Sequence, residues 1–104
     1  MSGWSIRYEY TDSGIRDNAP SSSGAYRLMY HLGEDYYVFY VGQSDDLKKR
    51  LAEHLSTSEP NSCIEKYLKG YSCYFRFIEL PTQRERDATE QEEIAKYNPV
   101  CNRQ

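Results

Sequence analysis

The stretch GAYRLMYHLGEDYYVFYVG, from Gly24 to Gly42, decides the fold of this 104-residue chain. Its two halves, residues 25–32 and 36–41, are rich in aromatic and branched side chains, which is typical of strands. The joint between them, residues 33–35, reads Gly-Glu-Asp and is a hairpin signal. We therefore predict an antiparallel pair of strands. Each strand carries a glycine and a tyrosine at one end, in the triplets Gly-Ala-Tyr and Tyr-Val-Gly.

The pattern changes from strand to helix directly after Gly42. Leu47, Leu51 and Leu55 recur every four residues, which predicts a short amphipathic helix that ends near Ser56. Polar side chains that can accept hydrogen bonds from the first free backbone amides precede this helix. These capping candidates are Ser44, Asp45 and Asp46.

Further elements are predicted on both sides of this region. They are an edge strand over 4–10, a loop over 11–23, a helix over 63–69, a strand over 71–80 and a charged helix over 82–97. Asn61 or Ser62 can cap the helix over 63–69, and we expect Gly70 to end it in the left-handed conformation. Asn98 and Pro99 end the last helix.

The composition indicates one domain with a single core. Eleven tyrosines account for much of the 38% hydrophobic fraction, and they suit a sheet with one wet face better than an all-helical bundle. Cys63, Cys73 and Cys101 are odd in number and lack a CxxC or Cys/His spacing. We therefore expect neither a disulfide framework nor a structural zinc site, and we expect a reducing compartment.

The net charge of −3 argues against a protein that coats nucleic acid without selectivity. The cations are nevertheless clustered at Lys48, Lys49 and Arg50, and the acids concentrate over 85–93, so an asymmetric surface is expected. No apolar run approaches the roughly 20 residues that span a bilayer, and the N-terminus has no apolar signal core. These features predict a soluble cytoplasmic protein with no membrane partner.

Arg50 and His54 are four residues apart and project from one helix face. A guanidinium can neutralise charge on a phosphate under attack, and an imidazole can relay a proton near neutral pH. The plain alternative is a solvated arginine and a surface histidine. Tyr26 and Tyr40 likewise have a plain alternative, because tyrosines fit any half-buried sheet.

Glu90 lies one turn before Ile94, the only large aliphatic residue of the predicted last helix, so we expect its carboxylate to face inward. Glu92 and Glu93 are expected on other faces. One inward carboxylate is enough to hold Mg²⁺, which keeps most of its waters. Asn102 is either a cap at the chain end or a polar clamp on the site.

Together these residues resemble the GIY-YIG nuclease family over residues 24–102. The triplets at 24–26 and 40–42 stand for the two name-giving triplets, with Ala25 and Val41 in place of isoleucine. The other matches follow at the family's spacing, including its Glu-x8-Pro-x2-Asn ending. They are Arg50, His54, Glu90, Pro99 and Asn102.

The resemblance implies an α/β (α+β) domain over 24–102, preceded by an edge strand and loop over 1–23. A small antiparallel sheet of three to four strands is expected, flanked by about three helices. The implied activity is that of a metal-dependent endonuclease that acts on DNA with one Mg²⁺ or Mn²⁺ ion. A partner protein or a homodimer is expected to supply target recognition.

The resemblance also implies roles for the site residues. Glu90 holds the metal, Arg50 clamps the phosphate, and Tyr26 and Tyr40 position the attacking water, with His54 as a proton relay. Which tyrosine deprotonates the water stays open. The implied substrate contacts are Gly42, Lys48, Lys49 and Asn102.

The alternative is a non-catalytic nucleic-acid or protein-binding module of the same fold within a larger complex. The acidic net charge favours this alternative. The complete set of Arg50, His54 and Glu90 disfavours it, because a pure binder gains nothing from a lone inward carboxylate.

Overall fold

The computed structural model describes residues 3–56 and 60–103. Within them the chain forms four strands, four α-helices and a C-terminal 3₁₀ turn. The strands are β1 (Tyr8–Glu9), β2 (Gly24–Leu32), β3 (Asp35–Ser44) and β4 (Cys73–Glu79). The helices are α1 (Asp12–Asn18), α2 (Leu47–Leu55), α3 (Ser62–Gly70) and α4 (Gln83–Tyr97), and the C-terminal turn covers Val100–Asn102.

The four strands form one antiparallel sheet in the order β1-β4-β2-β3. A two-residue turn joins β2 to β3, with Gly33 at a φ of 65°, so the predicted hairpin is confirmed. The predicted fold class is confirmed as well, with four strands in the sheet. The N-terminal strand does lie at an edge, but its ladder with β4 covers only Tyr8 and Glu9.

The helices cover both faces of this sheet. Tyr26 contacts His54 of α2, whereas the next residue, Arg27, pairs with Glu93 of α4. Because neighbouring strand residues point to opposite faces, α2 and α4 lie on opposite sides of the sheet. The core on the α2 side contains fully buried aromatic and aliphatic side chains, among them Leu28, Phe39, Leu47, Leu51, Ile64 and Phe75.

Helix α1 lies where the sequence predicted a loop, and it raises the number of α-helices in the described residues from the expected three to four. The Thr11 side chain caps this helix by accepting from the Gly14 amide. Ile15 is only 3% exposed and joins the common core, to which Tyr10 and Ala19 also belong. Tertiary packing of one isoleucine therefore overrides a polar composition that favours loops.

The sequence predicted that Gly70 would end α3 in the left-handed conformation, and this prediction is wrong. Gly70 is the last residue of the helix, and Tyr71 follows in extended conformation with a φ of −142°. The expected cap Asn61 is confirmed, since its side chain accepts from two backbone amides of α3. Asn98, with a φ of 45°, ends α4 as predicted.

A disulfide joins Cys63 to Cys101, which corrects the expectation of three reduced cysteines. The two Cα atoms lie 5.4 Å apart although 38 positions separate them in the sequence. Their proximity arises because the C-terminal turn packs against both α3 and β3, and neither cysteine count nor spacing reports such packing. Cys73 is the free thiol, and burial raises its pKa to about 11.

No helix in the described part of the chain is long and apolar enough to cross a bilayer. Within the same residues, no three histidine, cysteine or acidic side chains gather into a metal-binding group.

Candidate active site

The two glycines of the triplets make room for neighbouring groups. Gly42 lies opposite Tyr26 in the β2–β3 ladder, and a Cβ at Gly42 would overlap the Tyr26 hydroxyl and ring. A Cβ at Gly24 would overlap the carbonyl oxygen of Ile78 on β4 and approach Leu47 of α2 to 2.9 Å. A residue larger than glycine would therefore displace Tyr26 at position 42, and β4 or α2 at position 24.

Tyr26, Tyr40 and His54 form one cluster, as the sequence analysis expected. The Tyr26 hydroxyl lies 2.6 Å from Nε2 of His54, and both residues are 1% exposed. The Tyr40 ring centre lies 6.2 Å from that of Tyr26 and 5.5 Å from that of His54. Tyr40 is half-buried, so it is the tyrosine of this cluster that reaches toward solvent.

The bond between Tyr26 and His54 can carry a proton in either direction. The hydroxyl donates when Nε2 is unprotonated and accepts when Nε2 carries hydrogen. Histidine changes its protonation near neutral pH, so this pair is suited to hold or pass on a proton.

Arg50 lies one turn before His54 on α2, with its side chain 35% exposed. Its Nη1 atom lies 3.4 Å from Oε1 of Glu53, a distance at which a surface ion pair contributes little stability. A guanidinium that is partly exposed on the helix surface can accept a phosphate from solvent as its ligand.

Lys48 and Lys49 differ in their surroundings although both were expected to contact substrate. The Lys48 ammonium donates to the carbonyl of Arg16 at the end of α1, at 3.0 Å. Lys49 is exposed. Lys49 is therefore better placed than Lys48 for an additional phosphate contact.

Glu90 is half-buried on the face of α4 that packs against β3. Its Oε1 accepts from Nε2 of Gln43 at 3.0 Å, and Gln43 directly follows Gly42. Among the described residues, the other carboxylate oxygen of Glu90 accepts no hydrogen bond. One carboxylate oxygen is thus fixed, and the other is left for a ligand.

Gln43 and Asp87 belong to this region but were missed in the sequence. Nε2 of Gln43 also donates to Oδ1 of Asp87 at 2.8 Å, and Gln83 donates to the same oxygen at 2.8 Å. These two hydrogen bonds lower the pKa of the Asp87 carboxyl, and the bond from Gln43 has the larger effect. The strand alternation was the available signal, because it places Gln43 on the same face as Arg27, toward α4.

Glu93 faces inward, which corrects the expectation that it points away from the core. It is 7% exposed and forms an ion pair with buried Arg27, whose guanidinium lies 3.9 Å from the ring centre of Trp4. Glu92 is exposed, as expected. The buried carboxylate of Glu93 is therefore paired with a cation, whereas the partner of Glu90 is the uncharged amide of Gln43.

Asn102 clamps the free edge of the sheet. Its Oδ1 accepts from the Val41 amide at 2.8 Å, and its Nδ2 donates to the Val41 carbonyl at 2.9 Å. Val41 lies between Tyr40 and Gly42. The Asn102 side chain therefore pairs with the backbone of the edge strand as a neighbouring strand would. Of the two sequence interpretations, the clamp fits these contacts. Its role in substrate binding remains a prediction.

The donor set at Glu90 fits a hard divalent cation. Mg²⁺ prefers oxygen ligands, retains several waters and is commonly held by one or two carboxylates. Among the described residues, Glu90 forms no ion pair with a cation, and one of its two carboxylate oxygens accepts no hydrogen bond. This chemistry suits Mg²⁺ or Mn²⁺.

Comparison with known proteins places this geometry in context. No protein-family model matches the chain. It is 31% identical over 86 residues to UvrABC system protein C from Dictyoglomus thermophilum, covering 83% of this chain and 13% of that protein. It is also 31% identical over 91 residues to the protein of the same name from Fervidobacterium nodosum, covering 88% of this chain and 15% of that protein.

Solved structures share the fold. One is the GIY-YIG N-terminal endonuclease domain of UvrC from Thermotoga maritima with magnesium bound, at a TM-score of 0.63 and 22% identity, covering 84% of this chain and 93% of that one. A point mutant of that domain, bound to its catalytic divalent cation, matches with a TM-score of 0.65 and 22% identity over 86% of this chain and 96% of that one. The sequence match, the fold and the order of the motif residues all fit the GIY-YIG family.

Proposed function

We propose that this chain is a metal-dependent endonuclease that hydrolyses phosphodiester bonds in DNA. The observation that carries the proposal is that the edge strand β3 bears two features, one toward α2 and one toward α4. Tyr40 lies beside the buried Tyr26–His54 pair, and Gln43 of the same strand holds the uncompensated carboxylate of Glu90. The names of the UvrC structures, an endonuclease domain with a catalytic divalent cation, support the same activity.

A Mg²⁺ or Mn²⁺ ion held by Glu90 would supply Lewis-acid stabilisation of charge on the scissile phosphate. The remaining work falls to side chains of this chain. Tyr40, the half-buried tyrosine, positions the attacking water at the solvent side of the cluster. Tyr26 and His54 lie behind it and take up or return a proton through their shared hydrogen bond.

Arg50 binds the phosphate and stabilises its growing negative charge. Its side chain is 35% exposed on α2, one turn before His54, so it lies where a phosphate oxygen can reach it. Lys49 adds a phosphate contact that affects affinity more than the rate of cleavage. Asn102 acts on the site through Val41, by holding the edge strand in register.

Target recognition is assigned to a partner protein or to a second copy of the chain. The chain spans only 13% and 15% of the curated relatives it matches, so most of those proteins has no counterpart within these 104 residues. We place the protein in the cytoplasm, together with its DNA substrate. Disulfides are uncommon in that compartment. Reduced Cys63 and Cys101 in cells would therefore support this placement, and an intact disulfide would argue against it.

The second candidate is a non-catalytic binding module of the same fold, favoured by the net charge of −3. Nicking of supercoiled plasmid DNA with Mn²⁺, and with excess EDTA, separates the two. Nicking that requires Mn²⁺ and copurifies with the chain supports the nuclease. DNA binding without any metal-dependent nicking favours the module.

A further inference from the structure

Gln43 links the edge strand to the carboxylates of α4. Its Nε2 donates to Oδ1 of Asp87 at 2.8 Å and to Oε1 of Glu90 at 3.0 Å. Its Oε1 accepts from Nε2 of Gln83 at 2.7 Å. Both amide hydrogens and the carbonyl oxygen are therefore engaged, which fixes the orientation of the Gln43 side chain.

The two carboxylates that share this amide repel each other. Asp87 and Glu90 are three positions apart on α4 and lie on one helix face, where like charges are unfavourable. Neither carboxylate forms an ion pair with a cation among the residues that the structure describes. The amide of Gln43 therefore holds both groups in place without neutralising either one.

We propose that Gln43 is a positioning residue for metal binding at Glu90. This inference rests on the proposed function, because it assigns the metal to Glu90. By fixing Oε1, Gln43 presents the remaining oxygen of Glu90 in one orientation before the metal arrives. Binding then requires less ordering of the glutamate side chain, and the full negative charge is still available to the cation.

The test replaces Gln43 with methionine, which has a similar length but no hydrogen-bond donor. Mn²⁺ affinity is measured directly by isothermal titration calorimetry on the whole chain. We expect the dissociation constant of Gln43→Met to rise roughly 10-fold, the scale seen when a residue that orients a metal ligand is removed. Gln91→Met, at an exposed position of the same helix, is the matched control and should bind Mn²⁺ like the parent.

A split in the kinetics distinguishes positioning from general damage. For Gln43→Met, the Mn²⁺ concentration that gives half-maximal cleavage should rise as much as the dissociation constant, and the rate at saturating Mn²⁺ should stay within about twofold. Gln43→His retains an N–H donor and should restore part of the affinity. It also supplies a second variant if the methionine protein fails to fold.

Failure of this inference is distinguishable from failure of the proposed function. If Glu90→Gln abolishes Mn²⁺ binding but Gln43→Met and Gln43→His both bind like the parent, Gln43 does not position the ligand and the nuclease proposal stands. If Glu90→Gln binds Mn²⁺ as tightly as the parent, the metal is held elsewhere and both proposals fall.

Discussion

The Tyr26 hydroxyl and Nε2 of His54 lie 2.6 Å apart in a part of the core that solvent does not reach. A tyrosine and a histidine in this relationship share one hydrogen, so the protonation of one ring depends on the other. This pair ties β2 to α2 and also stands directly behind Tyr40. The same hydrogen bond therefore holds α2 against the sheet and forms part of the proposed proton path.

We predict that Tyr26→Phe and His54→Ala are not additive in cleavage. Each single change should lower the rate on the scale of general acid–base catalysis, about 10²-fold, because each removes one end of the proton path. Members of one unit do not multiply, so the double variant should be little worse than the more damaging single one. Single-turnover rates of the three variants measure this, and losses that multiply would show that the residues act independently.

Tyr26→Phe also leaves Nε2 of His54 buried without its hydroxyl partner. The loss of a hydrogen-bond partner by a buried polar group costs about 1–3 kcal/mol of unfolding free energy. Urea unfolding of each variant therefore accompanies the kinetics, and rates are compared at a temperature where every variant is folded.

Arg50→Ala should lower the cleavage rate by about 10²–10³-fold, the usual effect of removing one preorganised electrostatic stabiliser. Urea unfolding of Arg50→Ala accompanies the kinetics, so that the rate is compared for folded protein. Lys49→Ala is the control at a neighbouring exposed position, and it should weaken DNA binding and its salt dependence by about one phosphate contact. Small and equal effects of the two changes on the cleavage rate would make Arg50 one member of a general basic patch.

Gly42→Ala should disrupt the cluster from the opposite strand. The added methyl group would overlap the ring and hydroxyl of Tyr26, so either the tyrosine moves away from His54 or the strands separate. We expect at least 10²-fold slower cleavage, the scale of a lost general base, and a lower melting temperature. Gly70→Ala meets no atom within 4 Å and should melt at the parent's temperature or slightly above it. An unchanged Gly42→Ala protein would contradict the close packing described.

The disulfide predicts the number of reactive thiols. Unreduced folded protein should incorporate one alkyl group, at Cys73, and the reduced unfolded chain should incorporate three. Because burial raises the pKa of Cys73 to about 11, alkylation of the folded protein should be slow at pH 8 and accelerate as pH approaches 11. Mass spectrometry counts the groups, and three fast-reacting thiols in the unreduced protein would exclude the disulfide.

The raised pKa of Cys73 also makes the stability of the folded protein depend on pH. The folded protein holds the Cys73 proton more tightly than the unfolded chain, whose thiol titrates near 9.0. The stabilisation is complete below pH 9 and is lost as pH rises through about 11. Removal of the disulfide is a separate effect, which we expect to lower the unfolding free energy by about 2–4 kcal/mol.

Local patterns were sufficient for the parts of the fold that depend on neighbours in sequence. The leucines at 47, 51 and 55 define the inner face of α2, and Asn98 ends α4 in the left-handed conformation. The hairpin turn at Gly33 follows from its flanking aromatic strands. In each case the residues that carry the signal also make the contacts.

Features that depend on distant partners were not accessible in the same way. Helix α1 forms because Ile15 reaches the core, and Glu93 turns inward because Arg27 on β2 neutralises it. Neither partner is marked by spacing from the residue it meets. The role of Gln43 likewise becomes visible only when β3 and α4 are brought together.

In the proposed mechanism, the carboxylate of Glu90 holds the metal that cleavage requires. The most direct measurement is the Mn²⁺-dependent nicking rate of Glu90→Gln beside that of Glu92→Gln, whose side chain is exposed on the same helix. The amide removes the charge that a divalent cation requires and keeps the shape, so Glu90→Gln should fold like the parent yet neither bind Mn²⁺ nor nick DNA. Glu92→Gln should nick at the parent rate. Parent-like nicking by Glu90→Gln, with loss of nicking in Glu92→Gln, would show that Glu90 does not hold the metal.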